Sequence, residues 1–418
     1  MNAEIIAAGS EMLTPYRQDT NSLYLTEQLN ELGVQVSFKT IVGDSLEHLT
    51  GAARVALSRA DLVLFSGGLG PTEDDLTREA VAAALGIGLR RDDALLTLLK
   101  QRFADRNMAM PPNNLKQADV LEGAIVLPNR SGSAAGQLIH ASFESKPRTI
   151  ILLPGPPNEL KTVFAEECRP CLAASLPPHH LARRLLRMAL IPESQVDART
   201  APIYSQYADV ETTILAGSGE IQLHFVCAKP SQLEAQRRVD EVADRIEREM
   251  GEDVFSAHGE SLPEIIHLLL GMRHLTLAAA ESCTGGLLAQ RLTAIPNSSS
   301  TFLGGAVVYT PELKTEFADV PKHLFNTVGA VSDEVARALA EGIRQRAQSS
   351  FGLSITGLAG PGSGPPGLDE KKPIGLVYIG LADSSGTECK QVNIPGDRDR
   401  VRLWATQHAL DMLRRKLL

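Results

Sequence analysis

Aromatic residues are scarce in this chain, and so is any excess of positive charge. Aromatics make up 4% of its 418 residues, whereas hydrophobic residues make up 43%. The cores must therefore be built mainly from Ala, Val, Ile and Leu, a composition typical of helices packed on parallel sheets. The formal net charge of -9 repels a phosphodiester backbone, and the arginine pairs are isolated from one another. We therefore expect no nucleic-acid partner.

Long apolar runs and a cysteine framework are missing too. No stretch reaches the roughly 18 apolar residues that a membrane span needs, and residues 1–6 lack the basic and apolar regions of a secretion signal. The five cysteines are an odd and scattered set, which favours a reducing compartment. Cys168 and Cys171 form an isolated C-x-x-C, which we interpret as two half-buried thiols rather than a redox or zinc site. These absences predict a cytoplasmic protein with no membrane partner.

Strand and helix patterns alternate from the first residues onward. Short apolar strands are predicted at 5–8, 34–42 and 62–65, with helical spacing at 21–32 and 46–58. Such alternation predicts a parallel sheet covered by helices on both faces.

Two linker-like segments then divide the chain. They are Pro-rich or Gly-containing stretches at 177–180 and 256–260. The predicted domains are 1–175, 181–254 and 257–418. We expect an α/β, multi-domain protein whose middle domain is a small α+β unit.

A glycine-rich turn follows the apolar strand 62–65. Its sequence is S-G-G-L-G-P-T, and a helix is predicted to begin at Glu73. Glycines allow the backbone to approach a phosphate, and a helix N-terminus favours anions. Thr72 is the expected cap of that helix. Candidate phosphate contacts are Gly67, Gly68, Gly70 and Thr72.

Two acidic residues come just after this turn, namely Asp74 and Asp75. One interpretation is that they hold a divalent metal ion that bridges phosphate oxygens. The other is that they only complement the helix dipole. The pattern alone leaves both open.

A second constellation lies in the C-terminal third. A predicted strand at 275–280 ends in E-S-C-T-G-G, which places Ser282 at a strand–helix junction with N–H donors nearby. Tyr309 ends another predicted strand, and Lys314 follows five residues later. A serine paired with a lysine can act as nucleophile and base if burial keeps the amine neutral.

Each of these residues also has a plainer interpretation. Ser282 or Thr284 would then only cap a helix, Lys314 would be a surface lysine, and Tyr309 a packed strand residue. Cys283 is a competing nucleophile, because a thiolate is intrinsically stronger than an alcohol.

The motifs of the first 170 residues resemble the N-terminal domain of the CinA (competence/damage-inducible) family. They occur in order as G-S-E at 9–11, D-T-N-S at 19–22, V-G-D at 42–44, the turn and its acidic residues at 66–77, and P-G-P-P-N-E at 154–159. The resemblance implies a molybdopterin-binding-like fold and a metal-dependent ADP-ribose pyrophosphatase. A nucleotide- or pterin-binding module without turnover is the alternative.

Residues 257–418 resemble the C-terminal domain of the same family. The resemblance is carried by E-S-C-T-G-G, by the spacing of Tyr309 and Lys314, by G-A-V-S at 329–332 and by T-G-L-A-G-P-G at 356–362. It implies a nicotinamide-nucleotide amidase without a cofactor, with Ser282 as nucleophile, Lys314 as general base and Tyr309 assisting it. Oxyanion or phosphate contacts would come from Thr284, Gly285, Gly286, Thr356, Gly357, Gly360 and Gly362.

The family resemblance carries two further implications. The middle segment 181–254 has the size of a KH-like domain, which we interpret as a spacer or dimerisation unit rather than an RNA-binding domain, because its Gly217 and Gly219 precede a strand. Family members also often dimerise. We therefore expect a homodimer that acts on small nucleotide substrates.

Overall fold

The computed structural model describes residues 1–176, 180–217, 219–361 and 367–418. These residues form two compact units. The first consists of Met1–Leu181 and Ala228–Ala235, and the second of Ala182–Cys227 and Gln236–Leu418. The three-domain division stays a prediction, and the two units are described separately below.

The first unit contains a sheet with helices on both faces. The strands of the whole unit are β1 (Asn2–Ala8), β2 (Gln35–Val42), β3 (Leu62–Ser66), β4 (Leu89–Arg91), β5 (Asp119–Leu121), β6 (Ile125–Leu127), β7 (Gly136–Phe143) and β8 (Lys146–Leu153). Of these, β4 and β5 pair with each other outside the main sheet. Its helices are α1 (Thr20–Glu31), α2 (Leu46–Arg59), α3 (Thr77–Leu85), α4 (Asp93–Asp105), α5 (Pro157–Val163) and α6 (Arg169–Ser175). Six strands form the order β2-β1-β3-β8-β7-β6. The first four are parallel, whereas β7 and β6 are antiparallel to their neighbours.

The central strands of this sheet are buried on both sides. Ile6 and Phe65 belong to one hydrophobic cluster, whereas Ile5 and Leu64 belong to the cluster on the opposite face. Alternate residues of one strand point to opposite faces, so a strand covered on both sides must be apolar throughout. The expected α/β architecture is confirmed.

The second unit begins with a four-stranded sheet. Its order is β10-β11-β9-β12, from β9 (His180–Ala189), β10 (Glu211–Gly217), β11 (Glu220–Lys229) and β12 (Val254–Ser256). Two helices accompany it, α7 (Glu193–Tyr204) and α8 (Gln232–Met250). Inward-facing residues on β11 alternate with half-exposed ones, as expected for a sheet packed on one face.

A five-stranded sheet follows in the same unit. Its strands are β13 (Leu277–Glu281), β14 (Phe302–Val307), β15 (Phe351–Gly357), β16 (Leu376–Asp383) and β17 (Gly386–Asn393), in the order β14-β13-β15-β16-β17. The helices are α9 (Leu262–Met272), α10 (Leu287–Thr293), α11 (Pro311–Ala318), α12 (Lys322–Thr327), α13 (Asp333–Ala347) and α14 (Arg398–Leu417). β14, β13 and β15 run parallel, which brings their carboxyl ends to one edge.

The described helices include none that is both long enough and apolar enough to cross a membrane. The five cysteines are thiols and form no disulfide in the described structure.

Candidate active site

The turn after β13 is held by its own hydrogen bonds. The Glu281 carboxylate, which is buried, accepts from the N–H groups of Gly286 (3.1 Å), Leu288 (3.0 Å) and Ala289 (2.8 Å). It thereby caps the start of α10 from the strand side. Gly285 donates its N–H to the Ser282 carbonyl at 3.1 Å. We call residues 282–286 the nucleophile turn.

The two glycines of this turn have a backbone role. Gly285 and Gly286 adopt φ angles of +59° and +92°, the left-handed region that other residues avoid. The Gly285 N–H is bound by the Ser282 carbonyl and the Gly286 N–H by the Glu281 carboxylate, so the geometry does not leave them free as the predicted oxyanion donors. Cys283 lines the cavity and Thr284 does not, so among the described residues of the turn the Cys283 N–H group remains as the candidate for that role.

Ser282 and Lys314 meet at the bottom of a cavity. Lys314 Nζ lies 2.7 Å from Ser282 Oγ and 2.6 Å from the carbonyl oxygen of Val308. Both side chains are buried, Lys314 almost completely. Burial lowers the pKa of Lys314 to about 8, because the charged ammonium loses its hydration. Roughly a tenth of the amine is therefore neutral at pH 7 and can accept a proton.

The helix that carries Lys314 is fixed at its first residue. Thr310 caps α11 by accepting the N–H of Leu313 at 3.4 Å, and Pro311 occupies the first helical position. Lys314 thus enters the site from the first turn of a helix with a defined start, directly beside the carboxyl end of β14.

Cys283 is placed for packing rather than for chemistry. Its side chain belongs to the main hydrophobic cluster of this domain and is almost fully buried. Burial raises the pKa of the Cys283 thiol to about 12, so it stays protonated at neutral pH. The geometry favours Ser282 over Cys283 as the nucleophile.

Tyr309 lies at the rim and does not hold Lys314. Its ring is half exposed, and its hydroxyl accepts a hydrogen bond from Arg398 Nη2 at 2.8 Å. The bonds of the Lys314 amine go to Ser282 and Val308 instead. The expectation that Tyr309 assists the base directly is therefore not met by the contacts. β14 also ends at Val307, before Tyr309.

The end of β15 and the residues that follow it form another wall of the cavity. The Thr356 hydroxyl is buried and donates to the Ala330 carbonyl at 2.9 Å, so it ties two walls together. A Cβ on Gly357 would lie 2.8 Å from the Leu376 carbonyl, which explains the glycine there. Gly360 is buried at the end of this loop. The predicted contact Gly362 lies outside the described residues.

The cavity that these walls enclose has a volume of about 360 Å³. This lies within the range of pockets that bind a small organic ligand. Its lining includes Ser282, Cys283, Tyr309, Thr310, Pro311, Lys314, Ala330, Val331, Thr356, Gly357, Leu358, Ala359, Pro361 and Arg398. Arg398 brings a permanent positive charge to a cavity in which Ser282 and Lys314 are the more deeply buried side chains.

Sequence reasoning missed Arg398 and the carbonyl of Val308. Arg398 lies 89 residues from its partner Tyr309 along the chain, and only the tertiary fold brings them together. A backbone carbonyl leaves no signal in the sequence. The one available hint was Asp397, a good N-cap just before a long helix, which would have placed Arg398 at a helix start.

A second cavity lies in the first unit, at the carboxyl ends of β1, β3 and β8. Its volume is about 520 Å³, and its lining is rich in polar groups. The predicted residues Gly67, Gly68, Gly70, Thr72, Asp74 and Asp75 all line it, with Glu11, Asn21, Asp44, Ser66 and Glu159. The Asn21 side-chain oxygen is buried there without a partner among the described residues. Such an orphaned acceptor is what a ligand N–H or O–H would satisfy.

The glycines of this cavity are needed for close packing. Gly67 and Gly68 adopt φ angles of +100° and +70°. A Cβ on Gly67 would lie 2.4 Å from the Ala8 carbonyl, and one on Gly68 would lie 2.1 Å from Thr77 Oγ1. Any side chain here would displace the turn from the sheet edge.

The predicted cap of the next helix is wrong. α3 begins at Thr77 rather than at Glu73, and its N-cap residue, Leu76, makes no side-chain cap hydrogen bond. Thr72 instead donates its N–H to the Asp75 carboxylate at 2.8 Å. Asp75 therefore closes the turn, because its side chain satisfies the backbone at the position where a helix would have started.

The two acidic residues alone provide only part of a metal site. No group of three or more metal-binding side chains occurs in the described parts of the chain. Mg²⁺ is commonly held by one or two carboxylates together with substrate phosphates and water. Asp74, which is exposed, and Asp75 fit that smaller role if a phosphate ligand completes the coordination.

Comparisons with known proteins bear on both cavities. Residues 259–417 match the family model described as the CinA C-terminal domain, and residues 4–174 match the one described as a probable molybdopterin binding domain. A CinA-like protein of Acidobacterium capsulatum is 55% identical over the full length of both chains, and one of Koribacter versatilis is 53% identical over the full length of both. Among solved structures, the crystal structure of "the protein CinA with unknown function from Thermoplasma acidophilum" shares 34% identity over 39% of this chain and 94% of that one, with a TM-score of 0.36.

Proposed function

The chain belongs to the CinA family, and from that premise we propose that its C-terminal domain hydrolyses nicotinamide mononucleotide to nicotinate mononucleotide and ammonia. The observation that carries the proposal is the contact between Ser282 Oγ and Lys314 Nζ, at 2.7 Å, with a lysine whose pKa is lowered to about 8. A nucleophile and a base in hydrogen-bond contact are the minimum for acyl transfer.

In the proposed first step, neutral Lys314 removes the Ser282 proton while Oγ adds to the carboxamide carbon. The negative charge that develops on the carboxamide oxygen is stabilised by an N–H donor of the nucleophile turn, for which Cys283 is the candidate. Lys314 then gives its proton to the amide nitrogen. The C–N bond breaks, ammonia leaves, and an acyl ester remains on Ser282.

The second step returns the enzyme to its starting state. Lys314 removes a proton from a water molecule, and the resulting hydroxide adds to the ester carbon. The bond to Ser282 Oγ breaks, and Lys314 returns the proton to that oxygen. Nucleophile and base come from the chain itself, so the proposed reaction requires no added cofactor.

The substrate's phosphate is assigned to the cavity rim. Arg398 lines the cavity and donates to Tyr309, and a guanidinium recognises phosphate through charge-assisted hydrogen bonds. The apolar wall that includes Val331 and Leu358 suits the pyridine ring. Tyr309 would then position Arg398, not Lys314.

A second candidate function belongs to the first unit. The unpartnered Asn21 acceptor and the glycine turn support a nucleotide- or pterin-binding site. With a divalent metal held by Asp74, Asp75 and the substrate's phosphates, this site would hydrolyse ADP-ribose. The metal would supply charge neutralisation at the phosphates. Calorimetry with ADP-ribose, alongside an assay for AMP, separates binding without turnover from hydrolysis.

The experiment that tests the amidase is ammonia release from nicotinamide mononucleotide by the purified full-length protein. We expect turnover by the wild type and none by Ser282→Ala. The Asp74→Ala variant, altered only in the other cavity, is the matched control and should retain the wild-type rate. Equal ammonia release by wild type and Ser282→Ala would refute the proposal. A homodimer and a cytoplasmic location stay predictions; sedimentation of the same preparation tests the dimer.

A further inference from the structure

A guanidinium from α14, that of Arg402, also contacts the nucleophile turn. Arg402 directs two of its nitrogens, Nε at 3.2 Å and Nη2 at 2.9 Å, to the carbonyl oxygen of Thr284. The guanidinium also lies against the next residue, because a Cβ on Gly285 would be 3.8 Å from Arg402 Nη2. A charged donor that bonds a backbone carbonyl twice makes a strong and directional contact.

The turn is therefore held by one acidic side chain, which accepts hydrogen bonds, and one basic side chain, which donates them. Glu281 accepts the N–H groups on the helix side, and Arg402 donates to the carbonyl of Thr284, whose side chain is fully buried. Ser282 lies between these two anchors in sequence. Movement of the turn would change the distance from Ser282 Oγ to Lys314 Nζ, which is 2.7 Å.

The helix that carries Arg402 is itself tied to α10. Arg291 of α10 donates to the Thr406 hydroxyl and to the Gln407 side-chain oxygen of α14, each at 2.7 Å. Asp397 caps the start of α14 by accepting the N–H of Arg400 at 2.8 Å. Arg402 thus projects from a helix with a capped start and a cross-link to the element that follows the turn.

We infer that Arg402 is a positioning residue for the Ser282 nucleophile, acting through the carbonyl of Thr284. It is absent from the residues that line the cavity, so it acts on the turn and not on the substrate. Reaction rates in preorganised sites fall steeply when the reacting groups move by about half an ångström to one ångström. The inference rests on the proposed hydrolysis at Ser282.

The expected signature is a loss of kcat with little change in KM. For Arg402→Met we expect kcat to fall by about 10- to 100-fold, since a misplaced nucleophile costs rate and the ligand contacts remain. KM should stay within about threefold. Arg402→Lys keeps the charge and one donor and should be intermediate. Arg400→Met is the matched control, since Arg400 lies over the Trp404 ring (5.0 Å to its centroid) and does not line the cavity.

The experiment has two readouts on the full-length protein. One is steady-state ammonia release from nicotinamide mononucleotide. The other is the rate at which a fluorophosphonate probe labels Ser282, followed by intact-protein mass spectrometry. In the expected result Arg402→Met lowers both rates, Arg402→Lys lowers them less, and Arg400→Met matches the wild type.

The labelling rate separates this inference from the proposed function. If the wild type is labelled at Ser282 but releases no ammonia, the amidase proposal fails. The positioning role of Arg402 is then tested by the labelling rates alone. Wild-type labelling by a folded Arg402→Met variant, within twofold, overturns the inference. If that variant does not fold, wild-type labelling and wild-type kcat in Arg402→Lys overturn it. A wild type that is neither labelled nor active overturns both.

Discussion

Lys314 Nζ lies 2.7 Å from Ser282 Oγ, although 32 residues separate the two in the chain. The same amine lies 2.6 Å from the Val308 carbonyl. A buried lysine with two oxygen neighbours and no carboxylate in hydrogen-bond contact has lost hydration without gaining an ion pair. The pKa is lowered to about 8 for that reason.

The pH dependence of turnover follows from this contact. Only the neutral amine can take the Ser282 proton, and with a pKa of about 8 roughly a tenth of Lys314 is neutral at pH 7. We therefore expect kcat/KM for ammonia release to rise about tenfold per pH unit below pH 8 and to level off above it. Initial rates between pH 6 and 9.5 measure this, and a flat profile from pH 6 to 9 would contradict the role of Lys314.

The lowered pKa of Lys314 also predicts in which direction the free energy of unfolding changes with pH. Its folded pKa of about 8 is below its ordinary value of 10.5, so between these values the unfolded chain holds a proton that the folded chain has lost. The contribution of Lys314 to the free energy of unfolding should therefore rise with pH, by about 2 kcal/mol between pH 8 and 9.5. Below about pH 7, where Lys314 is protonated in both the folded and the unfolded chain, this contribution is nearly constant.

Comparison with Lys314→Met isolates that contribution from other titrating groups. Urea unfolding at pH 7.5, 8.5 and 9.5 should show the wild type gaining stability relative to the variant as pH increases. A constant difference between the two proteins, or one that changes in the opposite direction, would show that Lys314 is not desolvated in the folded state.

The choice of nucleophile is tested by two neighbouring substitutions. Ser282→Ala should abolish ammonia release, with a loss of at least about 10³-fold, because it removes the atom that forms the acyl ester. Cys283→Ala should cost stability, by about 1 kcal/mol for a small buried side chain, while turnover stays within about tenfold of the wild type. Activity that survives Ser282→Ala but not Cys283→Ala would reverse the assignment.

Arg398 should discriminate between phosphorylated and unphosphorylated substrates. Arg398→Met removes a charged hydrogen bond, worth about 1.5–3 kcal/mol to a phosphate, so we expect KM for nicotinamide mononucleotide to rise about 10- to 100-fold. Nicotinamide riboside lacks the phosphate and should be hydrolysed equally by the variant and the wild type. Equal losses with both substrates would instead indicate that Arg398 shapes the cavity through Tyr309.

The turn of the first unit offers a stability test with an internal control. Asp75→Ala removes the acceptor of the Thr72 N–H, a loss of about 1 kcal/mol for a capping interaction, which should lower Tm by a few degrees. Asp74 is exposed and interacts with the side chain of Thr72 rather than with its N–H, so Asp74→Ala should lower Tm less than Asp75→Ala. Differential scanning calorimetry compares the two. Identical melting of both variants would mean that Asp75 does not close the turn.

Local patterns predicted most of the secondary structure closely. The helix expected at 46–58 is Leu46–Arg59, and the strand expected at 62–65 is Leu62–Ser66. Apolar periodicity is a local property, so it survives folding. The helix expected from Glu73 begins instead at Thr77, because the Asp75 side chain competes successfully for the backbone of the turn.

The candidate site was only partly predictable. The motifs predicted that Ser282 and Lys314 belong to one site, and the two side chains are in contact. The motifs also predicted that Tyr309 assists the lysine, whereas in the fold the Tyr309 hydroxyl accepts a hydrogen bond from Arg398. The N–H groups of the predicted donors Gly285 and Gly286 are bound by the Ser282 carbonyl and the Glu281 carboxylate. Which partner a side chain or an N–H group selects depends on atoms brought near by other elements, and spacing along the chain does not encode them.

The sequence by itself determined the α/β architecture, the apolar strands buried on both faces and the two glycine turns, because propensity, periodicity and the steric needs of glycine act within a few residues. Only the tertiary structure decided that Lys314 is desolvated and that Cys283 is buried with a raised pKa. It also decided that Arg402 donates to the Thr284 carbonyl of the nucleophile turn, 118 residues away in the chain. The burial and the electrostatic environment of a side chain depend on neighbours from many parts of the chain, so they are set only when the chain has folded.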